Sequence, residues 1–266
     1  KRRGFGGIKI DPAKFVNKAV MVDGNGGERT ESAKFADFSI DEILKRRIAA
    51  VGYQNATPIQ ELAIPPVLSG ADVVGVADTG TGKTAAFLVP LINKVLSNRR
   101  MRVLIVAPTR ELAAQTDEEF KKLAQGMKMF SACCVGGASV GRQLAQLRYF
   151  NNFIIGTPGR LKDFIDRKRI NLAEFSAIVL DEADRMMDMG FIADMRFLMA
   201  GMPKERQTLF FSATLSPEIK RLIGEFLREP VFISIKTRDT SKNVEQDVVK
   251  VAGRNKVDLL REMLVR

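Results

Sequence analysis

The segment Ala77–Thr84, with the sequence ADTGTGKT, contains the residue types that hold phosphate groups. Its glycines allow the backbone to curl so that successive N–H groups point at phosphate oxygens. Lys83 would reach the β- and γ-phosphates of a nucleotide, and the Thr84 hydroxyl would ligate Mg²⁺. The usual pattern begins with glycine, whereas this segment begins with Ala77. A purely structural glycine-rich turn is the alternative, but Gly-Lys-Thr between a strand-like run and a helical stretch favours phosphate binding.

A second chemical cluster is the acidic run Asp181-Glu182-Ala183-Asp184, which follows the apolar residues 177–180. Three carboxylates this close together repel one another unless a cation neutralises them. Asp181 would hold Mg²⁺ through water, while Glu182 would orient or deprotonate an attacking water. An acidic helix N-terminus is the alternative, because carboxylates are favourable there without any ligand. Together with the phosphate loop, the acidic run indicates a nucleotide-hydrolysing site.

The composition excludes several other kinds of chemistry. The 266 residues include no histidine, which excludes Ser-His and Cys-His nucleophile pairs and His-ligated zinc. Cys133 and Cys134 are adjacent, so on a strand they point to opposite faces and form neither a disulfide nor a metal site. We interpret them as buried thiols of a reducing, cytoplasmic protein. No apolar run approaches the roughly 20 residues that span a bilayer, so we expect no membrane segment.

The apolar pattern then predicts the elements that position both clusters. Strand-like runs occur at 73–77, 102–107, 129–135, 153–155, 177–180, 208–211 and 231–235. Helical stretches lie near 83–96, 110–125, 139–149, 158–168, 190–200 and 217–228. A further helix is predicted after Phe38, where Ser39 and Glu42 form a capping box. Regular alternation of strands and helices predicts an α/β fold with a mostly parallel, roughly seven-stranded sheet covered on both faces. Ligands of such sheets bind at the carboxyl ends of the strands.

The chain has four predicted parts. Residues 1–35 form a flexible basic tail containing several glycines, which either touches RNA or is simply solvated. Residues 36–235 form the main domain, and residues 236–243 form a polar linker. Residues 244–266 hold one strand-like run and one amphipathic helix, which is too little for a core, so we expect them to begin a second domain.

Seven short segments occur in an order typical of one protein family. They are Phe38 with Gly52–Gln60 (GYQNATPIQ), Ala77–Thr84, Pro108–Ala113 (PTRELA), Gly136-Gly137, Thr157–Arg160 (TPGR), Asp181–Asp184 (DEAD) and Ser212–Thr214 (SAT). Over residues 38–235 the chain resembles the first RecA-like domain of the DEAD-box RNA helicases, with compact inserts more like those of bacterial members. The resemblance implies a three-layer RecA-like P-loop domain, and this family accepts Ala77 at the start of the phosphate loop.

The resemblance also implies roles for individual residues. ATP would contact Phe38, Thr57, Gln60, Thr79, Gly80, Thr81, Gly82, Lys83 and Thr84. RNA would contact Pro108, Thr109, Arg110, Gly137, Thr157, Pro158, Gly159 and Arg160. Mg²⁺ would be held by Thr84 and Asp181, and the catalytic residues would be Lys83, Asp181 and Glu182. Asp184, Ser212 and Thr214 would couple the state of ATP to strand separation.

Physical chemistry supports the two recognition roles, each with an alternative. The Gln60 amide has the geometry to pair with an adenine edge, and the Phe38 ring could stack on the base or simply pack at the helix entry. Thr109 and Thr157 start helices whose free N–H groups suit phosphates, with Arg110 and Arg160 adding charge. Ordinary helix capping is the alternative at both starts. Contacts to the RNA backbone would be independent of sequence and sensitive to salt, in keeping with the net charge of +11.

The sequence therefore predicts an ATP-dependent RNA helicase that remodels RNA locally, with ATP and Mg²⁺ as cofactors. By resemblance, arginines that complete the active site come from a second RecA-like domain in the same chain, and we expect a monomer. These 266 residues alone are then expected to bind ATP weakly and to hydrolyse almost none. A non-catalytic RNA- or protein-binding scaffold of the same fold and a DNA-directed motor are the alternatives. Intact Lys83, Asp181 and Glu182 argue against the scaffold, and the pair of Phe38 and Gln60 argues against the DNA motor.

Overall fold

A single sheet of parallel strands forms the centre of the computed structural model, which describes residues 33–235, Val251, Gly253 and 255–264. Within these residues the sheet has seven strands: β1 (Val73–Val76), β2 (Val103–Val106), β3 (Ser131–Cys134), β4 (Phe153–Gly156), β5 (Ala177–Leu180), β6 (Gln207–Ser212) and β7 (Val231–Ser234). Their spatial order is β3-β4-β2-β5-β6-β1-β7, and every pairing is parallel. The predicted α/β fold with seven strands is confirmed.

Helices connect the strands and cover both faces of the sheet. They are α1 (Glu42–Val51), α2 (Pro58–Ser69), α3 (Lys83–Ser97), α4 (Arg110–Leu123), α5 (Val140–Gln146), α6 (Pro158–Asp166), α7 (Ala183–Asp188), α8 (Ile192–Gly201), α9 (Pro217–Phe226) and α10 (Lys256–Leu264). Two single-turn 3₁₀ helices lie at Phe35–Asp37 and Leu172–Glu174.

Alternating side chains along each strand separate two apolar layers. In β2, for example, Val103 and Ile105 pack with the residues of α1 to α4, whereas Leu104 and Val106 pack with those of α6 to α9. Both sets are completely buried, as expected for a parallel sheet covered on both faces. The two cysteines follow the same rule: Cys134 is buried in the second layer, half-buried Cys133 packs against the first, and both are free thiols.

The structure differs from the predicted helices at two places. Helix α2 was not predicted, because Pro65 and Pro66 near its end are residues that normally interrupt helices. The single helix predicted at 190–200 is preceded by a separate short helix, α7, that begins inside the acidic run and ends before Gly190. Gly190 has a φ of 82°, a left-handed conformation that turns the chain between α7 and α8.

The start of the main domain also differs in detail. Asp41, rather than Ser39, caps α1, since its carboxylate accepts a hydrogen bond of 2.8 Å from the Ile43 N–H. Phe35, which was assigned to the tail, is buried in the core, and Lys34 forms an isolated bridge with Asn55. Packing therefore begins several residues before Phe38.

A second compact unit begins after Lys236, and its described part is mainly α10. The predicted tail residues 1–32, the linker 236–243 and most of the strand-like run at 248–251 lie outside the described residues, and Val251 itself is not in a strand. In the part of the chain that the structure describes, no helix combines the length and apolarity required to cross a membrane.

Candidate active site at the carboxyl edge of the sheet

The strand order divides the predicted site residues into two neighbouring groups. The phosphate loop follows β1, the acidic run follows β5, and Ser212 ends β6, and these three strands are adjacent in the sheet. The predicted RNA residues follow β2, β3 and β4, which form the other adjacent set. Because all strands are parallel, both groups lie along the same carboxyl edge, with β5 beside β2 where the groups meet.

The phosphate loop is folded back on itself by hydrogen bonds between its own residues. Gly80 and Gly82 have φ values of 83° and 94°, which glycine adopts without the strain of a side chain. The Thr81 hydroxyl donates to the Asp78 carbonyl at 2.7 Å. Lys83 is 6% exposed, and its ammonium donates to the Ala77 carbonyl at 2.9 Å, across the mouth of the loop. Thr84, the second residue of α3, is half-buried beside it.

Gln60 on α2 lies directly against this loop. Its Nε2 donates to the Gly82 carbonyl at 3.0 Å, and its Oε1 accepts from the Thr57 N–H at 2.9 Å. A Cβ atom on Gly82 would lie 2.5 Å from Gln60 Nε2 and 3.0 Å from Thr57 Oγ1, so any other residue there would have to displace Gln60. A primary amide has two N–H groups and two acceptor lone pairs, so each end of Gln60 keeps one for a ligand. The structure thus brings Thr57 and Gln60 to the phosphate loop, and adenine recognition stays a prediction.

Phe38, the other predicted base-binding residue, is mostly covered by protein. It is 9% exposed, belongs to the apolar core, and packs edge-on against Phe35 with ring centroids 5.8 Å apart. This packing corresponds to the alternative in which Phe38 stabilises the entry to α1. Stacking of its ring on adenine stays a prediction.

Asp181 has the properties of a buried metal ligand. It is 5% exposed, and desolvation raises its pKa from 3.8 to about 6, although the positive charge of Lys83 acts in the opposite direction. Its Oδ1 is buried without a hydrogen-bond partner, an arrangement that is costly unless a ligand or water satisfies it. No group of three or more candidate ligand side chains occurs among the described residues. The site therefore suits Mg²⁺, which proteins usually bind through one or two carboxylates together with substrate phosphates.

Glu182 joins the acidic run to the phosphate loop. Its backbone is left-handed, with φ 51° and ψ 52°, an uncommon conformation for a residue with a side chain. The Thr79 hydroxyl donates to Glu182 Oε1 at 3.3 Å, and the Arg185 guanidinium lies 3.4 Å from Oε2. Arg185 was not among the predicted site residues, although an opposite charge three residues along a helix is a recognisable signal.

Asp184 binds the segment after β6. Its Oδ2 accepts from the Ala213 N–H at 3.1 Å, the Thr214 N–H at 2.9 Å and the Thr214 hydroxyl at 3.1 Å. The Ser212 hydroxyl accepts from the Asp184 N–H at 3.3 Å and donates to the Thr214 carbonyl at 2.8 Å. All three residues of the predicted coupling set are therefore in one hydrogen-bonded network, and the coupling itself stays a prediction.

On the other half of the edge, Arg110 and Gly137 are in contact. A Cβ atom on Gly137, which has a φ of 73°, would lie 1.8 Å from Arg110 Nη1, so the guanidinium lies directly over the glycine backbone. Arg110 is exposed, and Pro108 is buried below it. At the start of α4 the Thr109 hydroxyl accepts from the Leu112 N–H at 3.3 Å, which is the capping alternative. The cap occupies the Leu112 N–H, and the exposed Arg110 adds positive charge at the same helix start.

The start of α6 is different. Thr157 occupies the cap position and Pro158 the first turn, but the Thr157 side chain makes no capping hydrogen bond. Gly159 is exposed at this end. The Arg160 side chain is only 14% exposed, lies over the Phe164 ring at 5.4 Å, and has a buried Nη1 without a partner. Arg160 thus adds its charge from beneath the surface instead of projecting into solvent.

Comparison with known proteins gives results that agree with this geometry. A family model described as DEAD/DEAH box helicase matches residues 57–222. The chain is 42% identical over 232 residues to the DEAD-box ATP-dependent RNA helicase CshA of Bacillus subtilis, covering 86% of this chain and 47% of that protein. It is also 42% identical to the ATP-dependent RNA helicase CshA of Listeria monocytogenes, covering 87% of this chain and 45% of that protein. The chain spans about half the length of these relatives.

Solved structures with a similar fold include two from archaea. A DEAD box protein of Methanococcus jannaschii has a TM-score of 0.73 and 35% identity, covering 76% of this chain and 56% of that one. A hypothetical ATP-dependent RNA helicase of Sulfolobus tokodaii has a TM-score of 0.69 and 34% identity, covering 74% of this chain and 57% of that one.

Proposed function

Since the chain belongs to the DEAD/DEAH box helicase family, we propose that it is the nucleotide-binding part of an ATP-dependent RNA helicase. In this proposal it binds RNA through the phosphate backbone and links ATP binding and hydrolysis to local duplex unwinding or to remodelling of RNA–protein complexes. The observation that carries the proposal is the contact between Thr79 of the phosphate loop and Glu182 of the acidic run, at 3.3 Å. This contact joins the phosphate loop to the acidic run, whose carboxylates would serve hydrolysis in this proposal.

In the proposed reaction, each residue near the loop has a separate task. The backbone N–H groups of residues 79–84 and the Lys83 ammonium bind the phosphates, and Thr84 and Asp181 would hold Mg²⁺. When bound, Mg²⁺ neutralises charge on the β- and γ-phosphates. Glu182 orients a water for in-line attack, and its carboxylate accepts the proton of that water. The Arg185 guanidinium, 3.4 Å from the second oxygen of Glu182, would help to orient this carboxylate.

The proposed RNA contacts lie on the adjacent part of the same edge. Arg110 on Gly137 and the uncapped start of α6 would bind phosphates, which fixes the position of a strand without reading its bases. The network from Asp184 to Ser212 and Thr214 connects the acidic run to the end of β6. Through this network a change at the nucleotide would reach neighbouring elements, which is the proposed origin of coupling.

Hydrolysis also requires positive charge opposite the transferred phosphoryl group. In the proposal this charge comes from a second RecA-like domain in cis, and the protein acts as a cytoplasmic monomer. We therefore expect these 266 residues to bind Mg²⁺-ATP weakly and to hydrolyse it negligibly. RNA-stimulated ATPase activity at the rate of the longer relatives would contradict this expectation.

Nucleotide binding by the chain tests the proposal directly. Titration with Mg²⁺-ATP and Mg²⁺-GTP, monitored by calorimetry, should show tighter binding of ATP, and Lys83→Ala should abolish binding of both nucleotides because both present the same phosphates. Lys94→Ala is the matched control, because Lys94 is on the same helix but donates to Gln207 instead of facing the loop. Absence of ATP binding in the unchanged chain would refute the proposal.

The scaffold alternative is tested by Glu182→Gln in a chain joined to a second helicase domain. The enzyme proposal requires that this variant binds ATP but no longer hydrolyses it. Unchanged RNA-dependent function after loss of hydrolysis would favour the scaffold. Stimulation by DNA as strong as stimulation by RNA would favour the DNA motor.

A further inference from the structure

Three large aromatic side chains are exposed together on the opposite edge of the sheet. Phe130 is 60% exposed, Tyr149 is 77% exposed and Phe150 is 53% exposed. With Arg99 and Lys128 they line an open cavity of about 830 Å³, and we call these five residues the aromatic surface. A second cavity of about 280 Å³ adjoins it and shares Lys128 and Phe130. We propose that the aromatic surface binds single-stranded RNA, as a contact separate from the site at the carboxyl edge.

The rings are held outward by buried polar residues. Asn151 is 4% exposed, and its amide donates to the carbonyls of Gln146 and Tyr149 at 3.0 and 2.9 Å, which fixes the turn that carries two of the rings. Asn152, 3% exposed, donates to the carbonyls of Arg99 and Met101. The turn is therefore rigid, and its aromatic side chains are exposed because of how the backbone is held.

Phe150 has additional support from below. The Arg102 guanidinium lies 5.7 Å from the centre of its ring and 4.7 Å from that of Phe175, and it is paired with Glu174. Arg102 also donates to the Asn151 carbonyl at 3.2 Å. A ring backed in this way and still half-exposed is a preorganised platform, which reduces the entropy lost when a planar group stacks on it.

The charges around these rings favour a polyanion. The cavity of about 830 Å³ is lined by the cations Arg99 and Lys128 and by no carboxylate. Carboxylates that touch its neighbouring residues are already paired: Asp117 with Lys121 and Ser131, and Glu174 with Arg102. The adjoining cavity is lined by the shared Lys128 and by Lys121, whose charge is balanced by Asp117. The excess positive charge therefore comes from Arg99 and Lys128, and Lys128 borders both cavities.

Exposed aromatic rings interspersed with lysine and arginine are the arrangement that binds single strands, since bases stack on the rings and cations follow the phosphates. An acidic peptide could use the same cations, but it would leave most of the aromatic area without a partner. That the strand is RNA and not DNA rests on the proposed function. Binding to the aromatic surface itself requires no ATP.

The aromatic surface is also spatially separate from the predicted RNA residues. Phe130 immediately precedes β3 and Asn152 immediately precedes β4, so the surface lies at the amino ends of these strands. Arg110, Gly137 and Arg160 lie at the carboxyl ends. Each strand has four residues, which at about 3.3 Å per residue separates the two edges by more than about 10 Å. The two groups therefore occupy different positions on the domain, and variants at each edge report on binding there.

The composition of the chain provides an intrinsic probe of this binding. There is no tryptophan, and the two tyrosines are Tyr149 and Tyr53. Tyr53 is half-buried, stacks on Phe35 and donates to Glu119 at 2.6 Å, so Tyr149 is the solvent-facing fluorophore. We expect hexauridylate, added without ATP, to quench tyrosine fluorescence in the unchanged chain and not in Tyr149→Phe. Tyr149→Phe should keep its affinity, because phenylalanine preserves the stacking ring.

Affinity for fluorescein-labelled hexauridylate, measured by anisotropy, then tests each part of the surface. Tyr149→Ala should weaken binding about fivefold or more, the loss expected for one stacked base. A plot of log affinity against log salt concentration should have a slope that is smaller in magnitude by about 0.7 for Lys128→Gln, the value for one phosphate contact in a single strand. Lys220→Gln, an exposed lysine on α9, is the matched control and should change neither quantity. Circular dichroism confirms folding of each variant.

Two further variants separate this inference from the proposed function. Arg110→Gln should leave the quenching of Tyr149 fluorescence by hexauridylate intact. Lys83→Ala should abolish ATP binding and should also leave this quenching intact. Loss of quenching in Arg110→Gln would show that the oligonucleotide binds at the carboxyl edge and would overturn the proposal. Unchanged affinity in Tyr149→Ala would also overturn it and would point to a protein partner for this surface. Neither result would bear on whether the chain binds ATP.

Discussion

The contact between Gln60 and the phosphate loop predicts different effects for two glycine substitutions that are locally alike. Gly80 and Gly82 both have left-handed φ values, 83° and 94°. A Cβ atom on Gly80 would have no atom within 4 Å, whereas one on Gly82 would lie 2.5 Å from Gln60 Nε2. Gly80→Ala therefore adds backbone strain alone, and Gly82→Ala adds the same strain together with displacement of Gln60.

The loss of stability in each variant follows from the backbone strain and from the displacement of Gln60. Left-handed strain for alanine is about 1–2 kcal/mol, which both variants share. Gln60 is 5% exposed, so losing its hydrogen bond to the Gly82 carbonyl costs about 1–3 kcal/mol more. At about 2–4 °C per kcal/mol for a domain of this size, we expect Tm to fall by about 4 °C for Gly80→Ala and by about 9 °C for Gly82→Ala.

Thermal denaturation followed by circular dichroism measures both shifts, and a double-mutant cycle isolates the clash. In a Gln60→Ala background the 2.5 Å contact is gone and only the 3.0 Å approach to Thr57 Oγ1 remains, so Gly82→Ala should cost clearly less than in the original chain. Equal effects of the two glycine variants in the original chain, or additive effects of Gly82→Ala and Gln60→Ala, would refute the reasoning. The same displacement should reduce the preference for ATP over GTP in Gly82→Ala, measured by competitive binding.

Three further predictions concern groups whose burial or pairing the structure defines. Burial raises the pKa of Asp181 to about 6, so the folded state binds more protons than the unfolded state between about pH 4 and pH 6, and stability falls as pH rises through that window. Asp181→Asn should therefore increase the free energy of unfolding by up to about 3 kcal/mol above pH 6 but not at pH 4, so Tm should rise only at the higher pH. Identical pH profiles of Tm for the variant and the unchanged chain in metal-free buffer would contradict this. Asp184→Ala removes the acceptor of three hydrogen bonds and should lower the free energy of unfolding by about 1–3 kcal/mol in urea titrations, whereas Asp188→Ala on the same helix serves as the control. Desolvation raises the pKa of Cys134 to about 12 and that of Cys133 to about 11, so both thiols should react with a disulfide reagent at pH 7.5 far more slowly than in urea, and rapid labelling of the folded chain would exclude this burial.

Much of the fold was predictable because its signals are local. Each strand is a few residues long and each helix a few turns long, so the apolar pattern of each can be recognised within a short window of sequence. The helix that was missed, α2, contains Pro65 and Pro66, and its stability comes from buried residues such as Ile59 and Ile64. A local pattern cannot weigh that tertiary packing against two prolines, so the prediction failed there.

The candidate site was predictable in its residue types but not in all of its contacts. Asp181, Glu182 and Lys83 have chemistry that is evident from their spacing, and the structure places them beside the same loop. The packing of Phe38 in the core, the contact of Arg185 with Glu182 and the position of Arg110 over Gly137 depend on side chains from separate elements. Such contacts are decided by which surfaces pack together.

The sequence by itself determined the α/β class, the order of the motifs and the chemistry of the two clusters after β1 and β5, because each rests on residues close together in the chain. Only the tertiary structure decided the strand order, which places β5, β6 and β1 side by side and groups β3, β4 and β2 next to them. It also decided that Phe130, Tyr149 and Phe150 are exposed close together, with the buried amide of Asn151 bonded to the turn that carries Tyr149 and Phe150. The physical reason is the same in both cases: pairing between distant segments is selected by the total burial and hydrogen bonding of the folded chain, which no short window of sequence contains.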